Sequence, residues 1–537
     1  MLYRKFAIAA VAAAVALALS QRAAEARSNT PPCVLRSLPP VSVLSDADTA
    51  SLCVLQGLAP VTALNNTAAG KAALEKNFVV TGEIQHGAIH QPTLLPFPEQ
   101  QQQALRDAYI TGDNAYGLAD GLGTRLGDSY QALTGCESSD DGGKTTKCGK
   151  NITDAVGNLI AYANATTGAD SMLGKYFFAN ETIDDKTPAS PEAKAILTTI
   201  KGTADIFGKA YRLPAGGPAA DPYGNSRPFQ TQPKLYAVHG KDFFSVRSGS
   251  IAYLFGPTQN LIDSPSYPSG HTTYGYTEGL LLALLVPERY PQMIARAAEY
   301  GNDRIILGAH YAMDVLAGRT LATYEMAQLL ANTAGFVGVP RKRVDGGEIK
   351  PINDFRAALL TAGPDATAAL KTGCGGSIAA CAAQDQSRFA NPARNRAFYL
   401  ATQAYGLPTV FKQNVGRTED VGQLAPEAGY LLCVAFPYLT RERANAILTE
   451  TEGPGGGFLD DGSAFGVYSR LDLYRAAEKA IAENPAAAEK GRVHKLQRKR
   501  GARIRRGGEP GISGHARQVD FMRVLAQVHR NAVAPLP

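Results

Sequence analysis

Tryptophan is absent from the 537 residues, which says little about function. Other shortages exclude more. Beyond the N-terminal run Phe6–Leu19, no stretch approaches the roughly twenty apolar residues that a membrane-spanning helix needs. Alternating strand patterns are few and helix signals are many, so the expected fold is all-α, a helical bundle. The seven cysteines show no zinc-ligand spacing with histidine. The acidic loop Ser138–Gly143 lacks the spacing of an EF-hand. His86 and His90 stand four apart, but Gly87 and Pro92 argue against a helix there and no further ligands follow, so no metal site is expected.

Charge is also misleading in the sum. The formal net charge is +6, yet twelve Lys or Arg against Glu509 and Asp520 lie from Lys490 onward. With that tail and the charges of the first 26 residues removed, the body is mildly acidic. Such a balance does not suggest a nucleic-acid partner. The tail itself reads as a solvated, disordered segment, with membrane-surface contact as the alternative.

The start of the chain reads as a secretory signal. Arg4 and Lys5 precede the apolar run, and Ala24-Glu25-Ala26 supplies a small-residue cleavage site. The expected address is periplasmic or secreted. Oxidising surroundings favour disulfides, with Cys33–Cys53, Cys136–Cys148 and Cys374–Cys381 as the local pairs and Cys433 left over. The expected layout is a signal peptide over 1–26, a helical catalytic domain over 27–338, a helical extension over 339–485 and the basic tail over 486–537. Within it, Pro31–Pro60 reads as extended, Val79–Pro98 as loop or short strand, and Pro191–Tyr211 as one helix capped by Ser190.

The chemistry gathers between Ser264 and Arg319. His310 and Asp314 are four apart, so on a helix they share a face and the carboxylate can orient the imidazole. Arg304 is six residues before His310, about 240° away on an unbroken helix. Gly308 offers a break, so one helix is expected to end near Leu307 and another to start near Ala309. Arg304 and His310 then converge on an anion near the second helix's free N–H groups. Pro268-Ser269-Gly270-His271 reads as a second helix start, with His271 in its first turn as a proton donor.

These motifs resemble the superfamily of type 2 phosphatidic acid phosphatases, class A bacterial acid phosphatases and vanadium haloperoxidases. Pro268–His271 matches its second motif in full. Arg304, His310 and Asp314 match its third, with Asp303 where the family usually has Ser. Arg227-Pro228 matches the end of its first motif, Lys-x6-Arg-Pro, but Ala220 stands at the lysine position. Lys209 is the candidate for the displaced lysine and Arg212 the alternative.

The resemblance implies a metal-independent phosphomonoesterase acting on soluble esters or lipid phosphates. His310 is the implied nucleophile, Asp314 its support and His271 the proton donor. Arg227, Arg304, Ser269, Gly270 and Lys209 are the implied phosphate cradle. Two other readings stand beside it. One is a haloperoxidase holding vanadate in the same pocket. The other is a non-catalytic anion binder.

Overall fold

A computed structural model describes residues 49–484, apart from 88–92, 109, 111, 113–114, 139–145, 149–150, 212–223, 232–236, 242–249, 255–260 and 344–345. Of 136–138, 146–148, 237–241 and 250–254 it describes the backbone alone. The expected signal peptide, Cys33, His90, Arg212 and the basic tail therefore lie outside the described residues.

The fold is all-α. Helices α1 (Ala68–Gln85), α2 (Phe97–Asp107), α3 (Asp154–Asn180), α4 (Gly270–Leu285), α5 (Tyr290–Ile306), α6 (Ala312–Ala331) and α7 (Phe355–Cys374) carry most of the packing. The strands form three two-stranded antiparallel ribbons. Among the described residues no helix is long and apolar enough to cross a membrane.

Helices α4, α5 and α6 pack together at the centre. Every residue of α6 from Ala312 to Leu330 is buried, as is every residue of α5 from Met293 to Ile306. A helix buried all round must find partners for its polar side chains. On α5, Arg296 lies between Asp107 and Asp120 at 2.6 and 2.7 Å. Glu299 accepts from Arg388 and from Gln100. On α6, Arg319 donates to the carbonyls of Thr402, Gln403 and Ser469. The segment after residue 339 thus clasps α5 and α6, two of the three helices that carry motif residues, and the described residues up to Ile481 form one compact unit.

Several local expectations are corrected. Thr49–Leu58 is helical, not extended, because its apolar residues pack into the core. Helix α1 runs through Val79 to Gln85, since Thr81 and Ile84 continue its buried face. Pro191–Ile200 keeps its Ser190 cap but stops there, and Ile206–Tyr211 is separate, with Lys201 in the left-handed region between them.

Cys374 and Cys381 are bonded as expected. Cys136 stands opposite Cys148 in the first ribbon. Cys53 is also disulfide-bonded, and Cys433 is free and half-buried.

Candidate active site

The break at Gly308 makes the site possible. Helix α5 ends at Ile306, and Gly308 takes a φ of 75°. The N–H groups of Ala309 and His310 then both reach back to the Arg304 carbonyl, at 3.0 and 3.3 Å. A non-glycine residue resists that left-handed turn. The reversal leaves Arg304 and His310 on one side, as expected. The next helix, however, begins at Ala312, three residues later than predicted.

That N-terminus does not offer its N–H groups to a ligand. Tyr311 N–H donates to Asp314 Oδ2, Ala312 N–H to Thr81 Oγ1, and Met313 N–H to Asn77 Oδ1. Two side chains of α1 therefore consume the donors that sequence reasoning assigned to the anion. Their effect is to fix the turn that carries His310.

The imidazole of His310 is fully buried and held at both nitrogens. Nδ1 lies 3.2 Å from Asp314 Oδ2, and Nε2 lies 3.0 Å from Arg227 Nη1. A guanidinium can only donate, so Nε2 must accept and Nδ1 must carry the proton. That tautomer leaves Nε2 unprotonated, with a lone pair that accepts from Arg227 in the empty site, the form a nucleophile or base requires. Burial pushes Asp314 up to about 7, against the pull of Ser266, Tyr311 N–H, Arg227 and Lys175. Oδ2 accepts from Ser266 Oγ, Tyr311 N–H and His310, contacts that favour the carboxylate against the effect of burial.

Cations dominate the surroundings. Arg227 is fully buried and ties together Ser264, Pro265 and Ala309 through their carbonyls. Lys175, on α3, is also buried, and its Nζ donates to the Pro265 carbonyl at 2.9 Å, the oxygen that Arg227 reaches at 3.1 Å. His271 stands with its ring centroid 6.1 Å from that of His310. Burial holds His271 well below the ordinary histidine range, helped by Arg304, Lys175 and Arg227. Burial, Arg227 and Lys175 do the same to His310. Lys175 is itself pushed well below the usual lysine range, by burial and then by Arg227. Three cations around two neutral imidazoles and one carboxylate make a pocket short of negative charge, which an entering anion supplies. Among the described residues no group of three or more His, Cys, Asp or Glu could hold a metal ion.

Two cradle assignments change. Lys209 is exposed and its Nζ donates to the Ala204 carbonyl, so the structure does not bring it to His310. Lys175, 52 residues before Arg227, is the lysine that lies beside Arg227, on the same Pro265 carbonyl. Ser269 does not present its N–H, which donates to the Asp314 carbonyl at 3.0 Å. Its Oγ instead caps α4 by accepting from Thr272 N–H. Gly270, at the first helical position, keeps an N–H with no intrahelical partner. Asp303 faces away from the site. Its Oδ1 accepts from Gln100 at 2.9 Å, and burial followed by Asp107 and Glu299 raises its pKa well above the usual carboxylate range.

The family model described as the PAP2 superfamily matches residues 225–331. This segment belongs to the PAP2 superfamily. It contains Arg227, His271, Arg304, His310 and Asp314, and it excludes Lys175. The acid phosphatase of Zymomonas mobilis is 45% identical over 64 residues, 12% of this chain and 24% of that protein. The non-specific acid phosphatase of Salmonella typhimurium is 47% identical over 64 residues, covering 12% and 26%. That of Providencia stuartii is 40% identical over 67 residues, covering 12% and 27%. The chain thus spans about a quarter of the length of the curated relatives it matches. The PAP2 segment supplies the motif residues, and α1 and α3 complete the site from outside it.

Proposed function

We propose that this chain is a metal-independent phosphomonoesterase of the acid phosphatase type, exported to the periplasm or beyond, working through a phosphohistidine at His310. The observation that carries the reading is His310 itself. Asp314 holds one nitrogen, leaving Nε2 unprotonated among Arg227, Lys175 and Arg304. Nε2 attacks phosphorus, the phosphorus–nitrogen bond forms and the ester phosphorus–oxygen bond breaks. His271 passes a proton to the departing alcohol. Water then attacks the phosphohistidine, giving up a proton to His271, and inorganic phosphate leaves. The cations hold the non-bridging oxygens, whose charge grows toward the transition state. The acid phosphatase names of the relatives support the same chemistry.

The test is a rapid-quench experiment with a radiolabelled aryl phosphate, stopped in alkali because phosphohistidine is acid-labile. Label on a peptide containing His310 is expected. Steady phosphate release with no label at any quench time sinks the covalent mechanism.

A pH dependence follows from the same cations. Burial and then these cations hold His271 well below the ordinary histidine range, which favours entry of the leaving-group proton with the ester monoanion. The second ionisation of a phosphomonoester lies near 6. The value of kcat/KM is therefore expected to fall about tenfold per pH unit above about 6. That limb should move down with substrates of lower second pKa. An alkaline limb independent of the substrate would place the proton on the protein.

A further inference from the structure

Helix α3 brings two side chains to the site, and Lys175 is only one of them. Ser171 lies one turn earlier on the same face. Both are buried, Ser171 at 1% and Lys175 at 3% exposure. A Cβ built on Gly270 would meet Ser171 Oγ at 3.3 Å and Lys175 Cε at 3.4 Å. The two side chains therefore lie directly against the residue that precedes His271, where an N–H without an intrahelical partner opens α4.

Ser171 Oγ has no hydrogen-bond partner among the described residues. That is unusual for its position. A buried hydroxyl inside a helix normally returns its proton to the carbonyl four residues back. Thr166 does so in the same helix, donating to Tyr162, and Thr273 does so in α4, donating to Ser269. An unbonded hydroxyl in the interior costs stability and calls for an acceptor that is part of the working state. The neighbouring donors, Lys175 and Arg227, already converge on Ser264 and Pro265 from the same side.

We propose that Ser171 is a phosphate-binding residue, whose hydroxyl donates to a non-bridging phosphoryl oxygen beside the Lys175 ammonium. The proposal rests on the phosphatase reading and extends the cradle to a helix outside the PAP2 segment. Gly270 is the reason α3 can approach so closely, since a side chain there would fill the gap between Ser171 and the bound group.

The experiment compares wild type with Ser171→Ala, which removes one atom and places a good helix former in the helix. Orthovanadate and inorganic phosphate serve as probes in two readouts, inhibition of aryl phosphate hydrolysis and the shift in melting temperature on binding. Ser171→Ala is expected to keep or raise the melting temperature without ligand, because it deletes an unsatisfied group. Its inhibition constants for both anions should rise on the order of tenfold, and the ligand-induced shift should shrink. A lowered melting temperature with unchanged inhibition constants would make Ser171 a structural hydroxyl and overturn the proposal alone. A wild-type protein that neither hydrolyses the ester nor binds orthovanadate would overturn the phosphatase reading, and this proposal with it.

Discussion

Replacing His310 by alanine is expected to lower phosphate release from an aryl phosphate by on the order of 10⁴-fold or more, since the nucleophile acts as a unit with its supporting groups. The mechanism offers no substitute. The His271 ring lies 6.1 Å from that of His310, centroid to centroid, and Asp314 is committed to Ser266 and the Tyr311 N–H. Alanine also releases Arg227 Nη1 from Nε2 while its bonds to Ser264, Pro265 and Ala309 remain. The cation frame should therefore survive, and orthovanadate should still bind, more weakly. Circular dichroism and a vanadate-induced melting shift check that the variant is folded. Turnover above about one per cent of wild type in such a folded variant would remove His310 from the nucleophile's role.

How much of this was readable in advance depends on range along the chain. Where a residue pair is local, the sequence carried it. The i, i+4 spacing of His310 and Asp314 gave their contact, and Gly308 gave the reversal that leaves Arg304 close enough to act on His310. Ser269 was readable as the start of α4. Helix type followed from the scarcity of alternating patterns. Helix bounds were missed where burial overrode composition. Helix α1 was expected to give way to loop from Val79, yet it runs to Gln85 because Thr81 and Ile84 continue its buried face.

The features that were not readable are those delivered by packing between distant segments. Thr81 and Asn77 occupy the N–H groups of α6 from more than 200 residues away, and no local pattern announces it. The lysine is the sharper case. Counting back from Arg227 leads into the Pro/Gly-rich stretch Leu213–Pro218 and then to Lys209, the nearest lysine before it. Proximity in sequence was the wrong guide, because Lys209 lies exposed in the last turn of the short helix Ile206–Tyr211. One signal did exist. Lys175 is the lone basic residue in the stretch Asp154–Asn180, flanked by Gly174 and by Tyr176-Phe177-Phe178, a setting in which a lysine has no reason to be solvated. A cation in such surroundings needs an anionic partner, and the motif then lacked a cation.

The replacement of Lys175 by methionine tests that relocation. Methionine nearly matches the lysine stem in length and keeps the packing against Gly270. It removes one positive charge from a buried site. Burial already pushes the lysine well below its usual range, so the folded protein gains nothing from the empty-site charge, and the variant's melting temperature should not fall. The charge matters when the phosphoryl group arrives, and most when its oxygens carry the transition-state charge. Loss of one such preorganised donor typically costs about 10² to 10³ in kcat. The value of kcat is accordingly expected to fall by that factor, with a smaller change in KM. Lys209→Met, which removes an exposed charge bonded to Ala204, should leave both constants near wild type. The reverse pattern, with Lys175→Met active and Lys209→Met impaired, would return the missing cation to the Pro/Gly-rich approach to Arg227 and would require α3 to move away from the PAP2 segment when substrate binds.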